Sequence, residues 1–484
     1  MKTKILWLFM LVAAFANAQT LKVSPESELE KAGSTVLNVL HDEKTNTVYV
    51  LRGQAWASYI DYTLEKYDAK TLQLLYFKTI YPTEKRKFLQ SAWYVNIYLL
   101  DGKPFLLFKE HPPKTEQYLY YLIGIDDKGE EISRTEIASK GGKQSIITMK
   151  GDFPDEKLIS TENKETPYVF VQTVGGKNKL TAQFTFLNKA LEVVDVKELK
   201  VTEVEYYSDF NCVMNDAGEM YVAVRLVEAT DKDPTMCFVY KMDKGGAFSK
   251  VPVILPKANW LSDVKLFYDE DKTPMIMGVS IFNGFFVEEL KNVTALNNPE
   301  IIPFKEELQV KPDQGKAYCD IEHVYLQNKK PAVVFRSYYT YYVPERGESA
   351  AHTAIIQTQY SVVEFNDSGI EWAYNLIKPL EKGEHHPFDY LATYTYPVAG
   401  GYNIVTRTYA TIKNANERKY HIIKVKDGEG TVAEVKNSTK DYVNNFSLQG
   451  YYGVCYDNDG NFYMPYQLFG VNKKNVRLFK FMPE

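Results

Sequence analysis

The chain has 484 residues, with 57 Lys and Arg against 62 Asp and Glu and a formal net charge of −5. The charges of both signs are interspersed and form no basic stripe, so the sequence offers no electrostatic footprint for nucleic acid. Tyrosine and phenylalanine are abundant, at 37 and 26 residues, which favours pleated, half-buried strands over helices.

The chain opens with a targeting signal. Lys2 and Lys4 precede an apolar run over residues 5–16, and Ala16-Asn17-Ala18 puts a small residue at both positions a signal peptidase reads. The expected cleavage falls before Gln19, leaving residues 1–18 as a signal peptide and 19–484 as one domain. The apolar run is shorter than the roughly 20 residues that span a bilayer, and no later run approaches that length. The expected location is therefore a periplasm or the cell exterior, with no membrane span after cleavage. Four cysteines occur, Cys212, Cys237, Cys319 and Cys455, none at a metal-ligand spacing. An oxidising compartment permits a disulfide, and Cys212 and Cys237 are the best candidate pair; otherwise all four are small buried apolar residues.

Beyond the signal, a short pattern recurs at intervals of 52 to 70 residues. A polar turn leads into four or five apolar residues, headed in turn by Thr47, Pro104, Pro167, Glu219, Pro274, Pro331, Gly401 and Asn461. A second alternating stretch follows each marker, over residues 62–67, 118–125, 181–187, 236–242, 285–290, 360–365, 420–425 and 476–481. Most of these run into Asp, Asn or Gly. Period-two alternation is the strand signal and the Asp/Asn/Gly tails are hairpin turns. The best internal match sets Asp263-VKLFYDEDKTP against Asp320-IEHVYLQNKKP. Each unit is thus expected to be a four-stranded antiparallel meander: strand, tight turn, strand, longer loop, strand, tight turn, strand.

Such a unit has two apolar faces, and stacking units in a ring buries both. In this repeat, over nearly all of residues 19–484, the chain resembles a β-propeller. It lacks the Trp-Asp dipeptides of WD40 blades and the paired glycines of kelch blades. The expected fold is all-β with eight four-stranded blades, seven being the alternative. The last unit supplies three strands of its own, and residues 21–24 are expected to join it as the fourth and close the array.

The strand assignment sorts the loops. Turns between strands one and two, and three and four, share one face. Loops between strands two and three, and between units, are expected to be longer and to share the other face, where function concentrates. Asp209, Asp263, Asp320 and Asp389 stand near the start of the first strand in four successive units. Arg52, Arg225, Arg336 and Arg407 stand near the end of the second strand, with Lys109 similar in kind. A ring of such residues would grip a polar ligand, Arg donating to carboxylate or phosphate and Asp accepting from sugar hydroxyls. The same residues would serve equally to pair with one another and tie blades together. The longest irregular segments are residues 337–358, with Tyr338, Tyr339 and His352, and residues 378–390, with His385, His386 and Asp389. Their aromatic faces suit sugar rings, and His or Asp suits acid–base work; the plain alternative is a solvated loop whose tyrosines continue a hairpin. Asp457-Asn-Asp459-Gly-Asn461 looks like half a calcium loop but lacks its distant Glu and reads better as a hairpin turn. No nucleophile elbow, metalloprotease helix or phosphate loop is present, and no metal or cofactor is expected. The expected function is a non-catalytic, monomeric binding or interaction propeller of the cell envelope. Its partner would be a carbohydrate, another polar small molecule or an envelope protein. The alternative is a carbohydrate-active enzyme, a glycoside hydrolase or polysaccharide lyase using the Asp, Arg, Tyr and His residues above.

Overall fold

The structure, a computed structural model, describes residues 20–25, 35–56, 59–81, 93–110, 117–140, 156–161, 166–176, 179–201, 207–226, 235–243, 245–255, 261–280, 283–308, 316–343, 352–377, 393–407, 420–435, 453–465 and 478–482. Strand β1 (Thr20–Val23) comes first. Blade 1 follows as β2 (Thr35–Asp42), β3 (Thr47–Trp56), β4 (Tyr59–Asp68) and β5 (Leu74–Ile80), and blade 2 as β6 (Trp93–Leu100), β7 (Lys103–Glu110), β8 (Gln117–Ile125) and β9 (Glu131–Lys140). Blade 3 is β10 (Glu156–Ser160), β11 (Tyr168–Gly176), β12 (Lys179–Leu187) and β13 (Val193–Val201). Blade 4 is β14 (Tyr207–Met214), β15 (Met220–Leu226), β16 (Thr235–Met242) and β17 (Phe248–Ile254). Blade 5 takes β18 (Leu261–Tyr268), β19 (Pro274–Ser280), β20 (Gly284–Glu289) and, past the short β21 (Leu296–Asn297), β22 (Ile302–Pro303). Blade 6 is β23 (Lys316–Gln327), β24 (Lys330–Val343), β25 (His352–Asn366) and β26 (Gly369–Ile377). Blade 7 is β27 (Tyr394–Val398), β28 (Gly401–Arg407), β29 (Tyr420–Lys426) and β30 (Glu429–Glu434), and blade 8 is β31 (Cys455–Tyr456), β32 (Phe462–Pro465) and β33 (Leu478–Met482). β1 completes blade 8, Leu21 lying opposite Phe481 and Val23 opposite Phe479. The fold is all-β, an eight-bladed β-propeller, with the N-terminal strand joined to the C-terminal blade as the repeat predicts.

The chain divides into two compact units, Met1–Ala138 with His386–Glu484, and Ser139–His385. In the first, blades 7 and 8 share a core of Val405, Tyr420 and Ile422 with Leu21, Phe462 and Phe481. Blade 8 meets blade 1 through Tyr463 and Leu478 against Val48 and Val50, and blade 1 meets blade 2 through Tyr49 and Leu51 against Leu106 and Phe108. The second unit repeats the device. Met220, Val222 and Val224 of β15 pack on Val169, Val171 and Phe184 of blade 3, while the intervening Tyr221 and Ala223 pack on Val264, Ile276 and Phe286 of blade 5. This explains why the second strands read as unbroken apolar runs: both faces are buried, each large apolar side chain contributing about 1.5–3 kcal/mol.

Short turns of one design close many hairpins. Asp126, Asn188, Asn215, Asp243, Asp269 and Asp457 each donate their N–H to the carbonyl four residues on, and the side-chain Oδ1 accepts that residue's N–H in return. Asp457 also holds Asn461 Nδ2 and the Tyr463 hydroxyl on Oδ2, so the segment that resembles half a calcium loop is such a turn.

Three expectations need correction. Strands two and three are not always joined by a longer loop: Trp56 pairs with Tyr59 in blade 1 and Gly176 with Lys179 in blade 3, and β19 and β20 are joined just as tightly. Much of residues 337–358 is paired strand and not loop, β24 and β25 running on to Val343 and His352, so its tyrosines continue the hairpin as the plain alternative has it. Finally, Cys212 and Cys237 form no disulfide with each other. Cys212 faces the core shared with blade 3 and Cys237 the core shared with blade 5, so the two thiols lie on opposite faces of one sheet and cannot bridge.

Blade 5 departs from the meander. After β20 the chain adds β21 in parallel to β17 at the outer edge of blade 4, then returns to pair β22 with β20. Gly284 permits the return, with φ +149° and a hypothetical Cβ only 1.9 Å from the Ile302 carbonyl oxygen.

Candidate functional site

The first strands of blades 1, 2, 4 and 5 each carry a β-bulge near the end away from the hairpin turn, and that of blade 6 carries one at mid-strand. Bulges re-aim side chains, and the acidic candidates of the second unit lie beside them. Asp209 is directly opposite Arg225, and Asp320 directly opposite Arg336. In blade 5 the pairing changes, with Asp263 opposite Val279.

Asp263 is buried, and its carboxylate is spoken for. Oδ1 accepts the Val264 N–H at 2.7 Å, Oδ2 accepts the Ile321 N–H of blade 6 at 2.7 Å, and Lys265 Nζ lies 3.4 Å from Oδ2. Next to it, Ser262 Oγ accepts the Cys319 N–H at 2.8 Å. These bonds staple blade 5 to blade 6. Asn38 does the same in the first unit, bonding Asn96 across blades 1 and 2, and Asn211 takes the Leu266 N–H across blades 4 and 5.

Arg52 has a similar fate. It alternates with Val48 and Val50, on the face toward blade 8, and its Nε donates to Glu65 Oε1 at 2.9 Å. Tyr67 donates its hydroxyl to Glu65 Oε2 at 2.6 Å. Arg52 is 3% exposed and Glu65 0%, so neither reaches solvent or a ligand.

Blade 6 differs. Cys319 and Ile321 enter the core shared with blade 5, so strand alternation sends Tyr318 and Asp320 to the other face, and Glu322, the extra residue of the bulge, reaches Arg336 there as well. Arg336 Nε lies 3.8 Å from Asp320 Oδ2 and Nη1 lies 3.3 Å from Glu322 Oε1, with 27% of the Arg336 side chain and 32% of the Asp320 side chain exposed. Tyr338 donates its hydroxyl to Asp320; burial foremost, then the charge of Asp320 and this bond, push its pKa up. The Tyr338 ring stacks on that of Tyr318, directly across the ladder, with centroids 5.3 Å apart and planes 17° apart. Next along the strand, His323 lies 5.6 Å from the Tyr325 ring, and burial, then the nearby Lys265 cation, lower its pKa. The result is a mixed-charge patch beside an aromatic pair on the longest strands of the molecule, β23, β24 and β25.

The other candidates are located as follows. Tyr339 is on β24 opposite Ile356, His352 on β25 opposite Val343, and Arg407 on β28 opposite Tyr420. His385, His386 and Asp389 lie outside the described residues. Tyr318 and Glu322 escape a search for recurring Asp and Arg; alternation in Tyr318-Cys-Asp320 puts those two on one face, whereas Glu322 sits in the bulge that no local pattern announces. Among the described residues no group of three or more His, Cys, Asp or Glu is placed to hold a metal ion, and no helix is long and apolar enough to cross a membrane.

No protein-family model and no curated protein matches this sequence. Solved structures similar to it include the β-propeller domain of the Trilobed protease from Pyrococcus furiosus, at 13% identity and a TM-score of 0.38, over 86% of this chain and 99% of that one. The polysaccharide lyase Uly1 is similar at 11% identity and a TM-score of 0.43, over 94% and 90% of the two chains. Sqt1 from Chaetomium thermophilum is similar at 10% identity and a TM-score of 0.42, over 86% and 88%.

Proposed function

We propose that the mature chain is an exported, non-catalytic binding propeller that holds a polar ligand on blade 6, at Asp320 and Arg336 beside Tyr318 and Tyr338, with the more buried Glu322 backing Arg336. One observation carries the reading. The Arg336 cluster keeps about a quarter to a third of its Asp and Arg surface open, whereas Arg52 and Asp263 are buried and engaged inside the fold. Charges that only tie blades together can be sealed among their partners, as Arg52 and Asp263 are; charges left partly open beside stacked rings can be reached by a ligand. Export rests on Lys2, Lys4 and the Ala16-Asn17-Ala18 cleavage pattern.

A glycan and metabolite screen on the chain beginning at Gln19 tests the proposal, with Arg336→Ala and Tyr338→Ala run beside it. The expected hits bind the parent chain and weaken in both variants. Hits unaffected by either substitution would move the ligand elsewhere, and turnover of a bound glycan would replace binding by the carbohydrate-active alternative. Export is read from the N-terminus of protein recovered outside the cytoplasm, expected at Gln19; a retained Met1 would overturn it.

A further inference from the structure

We infer that the ligand of the blade 6 patch is a neutral polyhydroxy compound, an uncharged sugar, and neither an anion nor an ammonium compound. This rests on the binding reading just given. Arg336 alone suggests an anion site, because a guanidinium matches carboxylate and phosphate in a planar fork. Its surroundings argue otherwise. Two carboxylates, Asp320 and Glu322, already face this one guanidinium at 3.8 and 3.3 Å. The trio carries a net negative charge, so an incoming carboxylate or phosphate would meet two like charges at ion-pair range. An ammonium group meets the opposite obstacle, since the Arg336 guanidinium already lies against both carboxylates.

A hydroxyl-rich neutral ligand meets no such conflict. Each hydroxyl both donates and accepts, so a vicinal pair can donate to Asp320 and accept from Arg336. The Tyr318–Tyr338 stack offers the flat apolar face that the C–H side of a sugar ring covers. Asp320 is held toward the rings by the Tyr338 hydroxyl, so stacking and hydrogen bonding act on the same ring.

The test compares tetrasaccharides of different charge on the mature chain by titration calorimetry. The neutral set is gluco-, xylo- and manno-tetraose, the anionic probe is tetragalacturonate, and the cationic probe is the glucosamine tetramer. The expected result is binding of at least one neutral tetraose, changed less than about twofold between low and high salt because no net charge is neutralised. Arg336→Ala, Arg336→Lys and Tyr318→Ala should each weaken it about tenfold, the scale of one hydrogen bond to a charged group. Unfolding midpoints confirm that each variant is folded, and Arg336→Lys keeps the charge if the alanine variant does not fold. Tighter, salt-sensitive binding of tetragalacturonate that Arg336→Ala abolishes would overturn the neutral-ligand inference while leaving the binding site standing. Preference for the glucosamine tetramer would do the same. No binding of any probe, together with metabolite hits indifferent to Arg336 and Tyr338, would overturn both.

Discussion

Blades 1 and 6 use the same chemistry to opposite ends. Each sets an arginine in the middle of its second strand, rather than near the end as the repeat suggests, with a carboxylate within reach. In blade 1, Arg52 alternates with two valines that face blade 8, and its partner Glu65 is wholly buried and shared with Tyr67. In blade 6, Arg336 is opposite Asp320 on the face away from the blade 5 core, and both remain partly open. A shift of one residue along a strand turns a side chain to the other face of the sheet, and that step separates a structural ion pair from a candidate site. Residue type alone does not tell them apart.

The sharpest way to break this comparison is to truncate both arginines. Arg52→Ala leaves Glu65 buried without its guanidinium and is expected to cost about 3–5 kcal/mol. Replacing the pair together, Arg52→Met with Glu65→Leu, should recover much of that loss, because the unpaired buried charge disappears. Urea melts of the single and double variants check this; equal destabilisation by both would mean the pair contributes something beyond charge balance. Asp263→Ala comes next. It strips the buried Ile321 and Val264 N–H groups of their acceptor and should cost about 1–3 kcal/mol. Hydrogen exchange at the Ile321 amide should rise with it, and an unchanged rate would deny the carboxylate its role as a staple. Gly284→Ala should cost a similar ~1–3 kcal/mol through backbone strain and the clash with Ile302. A melting temperature equal to the parent's would show that β22 moves aside freely.

The eight strand pairs were legible because their physics is local. Apolar runs such as Val48–Leu51 must be buried on both faces, and Asp or Asn five residues before a strand, as at Asn215 and Asp457, closes a turn with its own side chain. The clasp of β1 to β33 was legible because blade 8 is one strand short. The site was legible only in part. Recurring Asp and Arg found Asp320 and Arg336 but also swept in Arg52, whose face is out of phase with that of Arg336. Bulges at Asn38, Asp209, Asp263 and His323 shift this phase, and they arise from sheet twist and neighbouring blades rather than from any local residue pattern. The detour through β21 was invisible for the same reason, since it depends on the edge of a different blade.

Arg336→Ala should sit at the mild end of the same series. Asp320 is partly exposed but the Glu322 side chain is only 5% exposed, so the expected loss of stability is about 1–2 kcal/mol, while affinity for the blade 6 ligand falls. Loss on the scale of Arg52→Ala would mean the cluster is a structural element after all.

The smallest effect expected is a slope in pH, and it comes from His323. Burial and the Lys265 cation disfavour its imidazolium, so its folded pKa lies below the ordinary value of about 6.5. As pH falls through 6.5 the unfolded chain takes up a proton that the folded chain refuses, and stability declines until the lowered folded pKa is reached. Below that point the contribution is flat. One group cannot produce a slope steeper than about 1.4 kcal/mol per pH unit. His323→Gln keeps a polar side chain and removes the titration, so the variant should lose less stability than the parent when pH is lowered across this window. The other histidines are common to both chains and cancel in the difference. Parallel losses in parent and variant would show that His323 is free to charge where it stands.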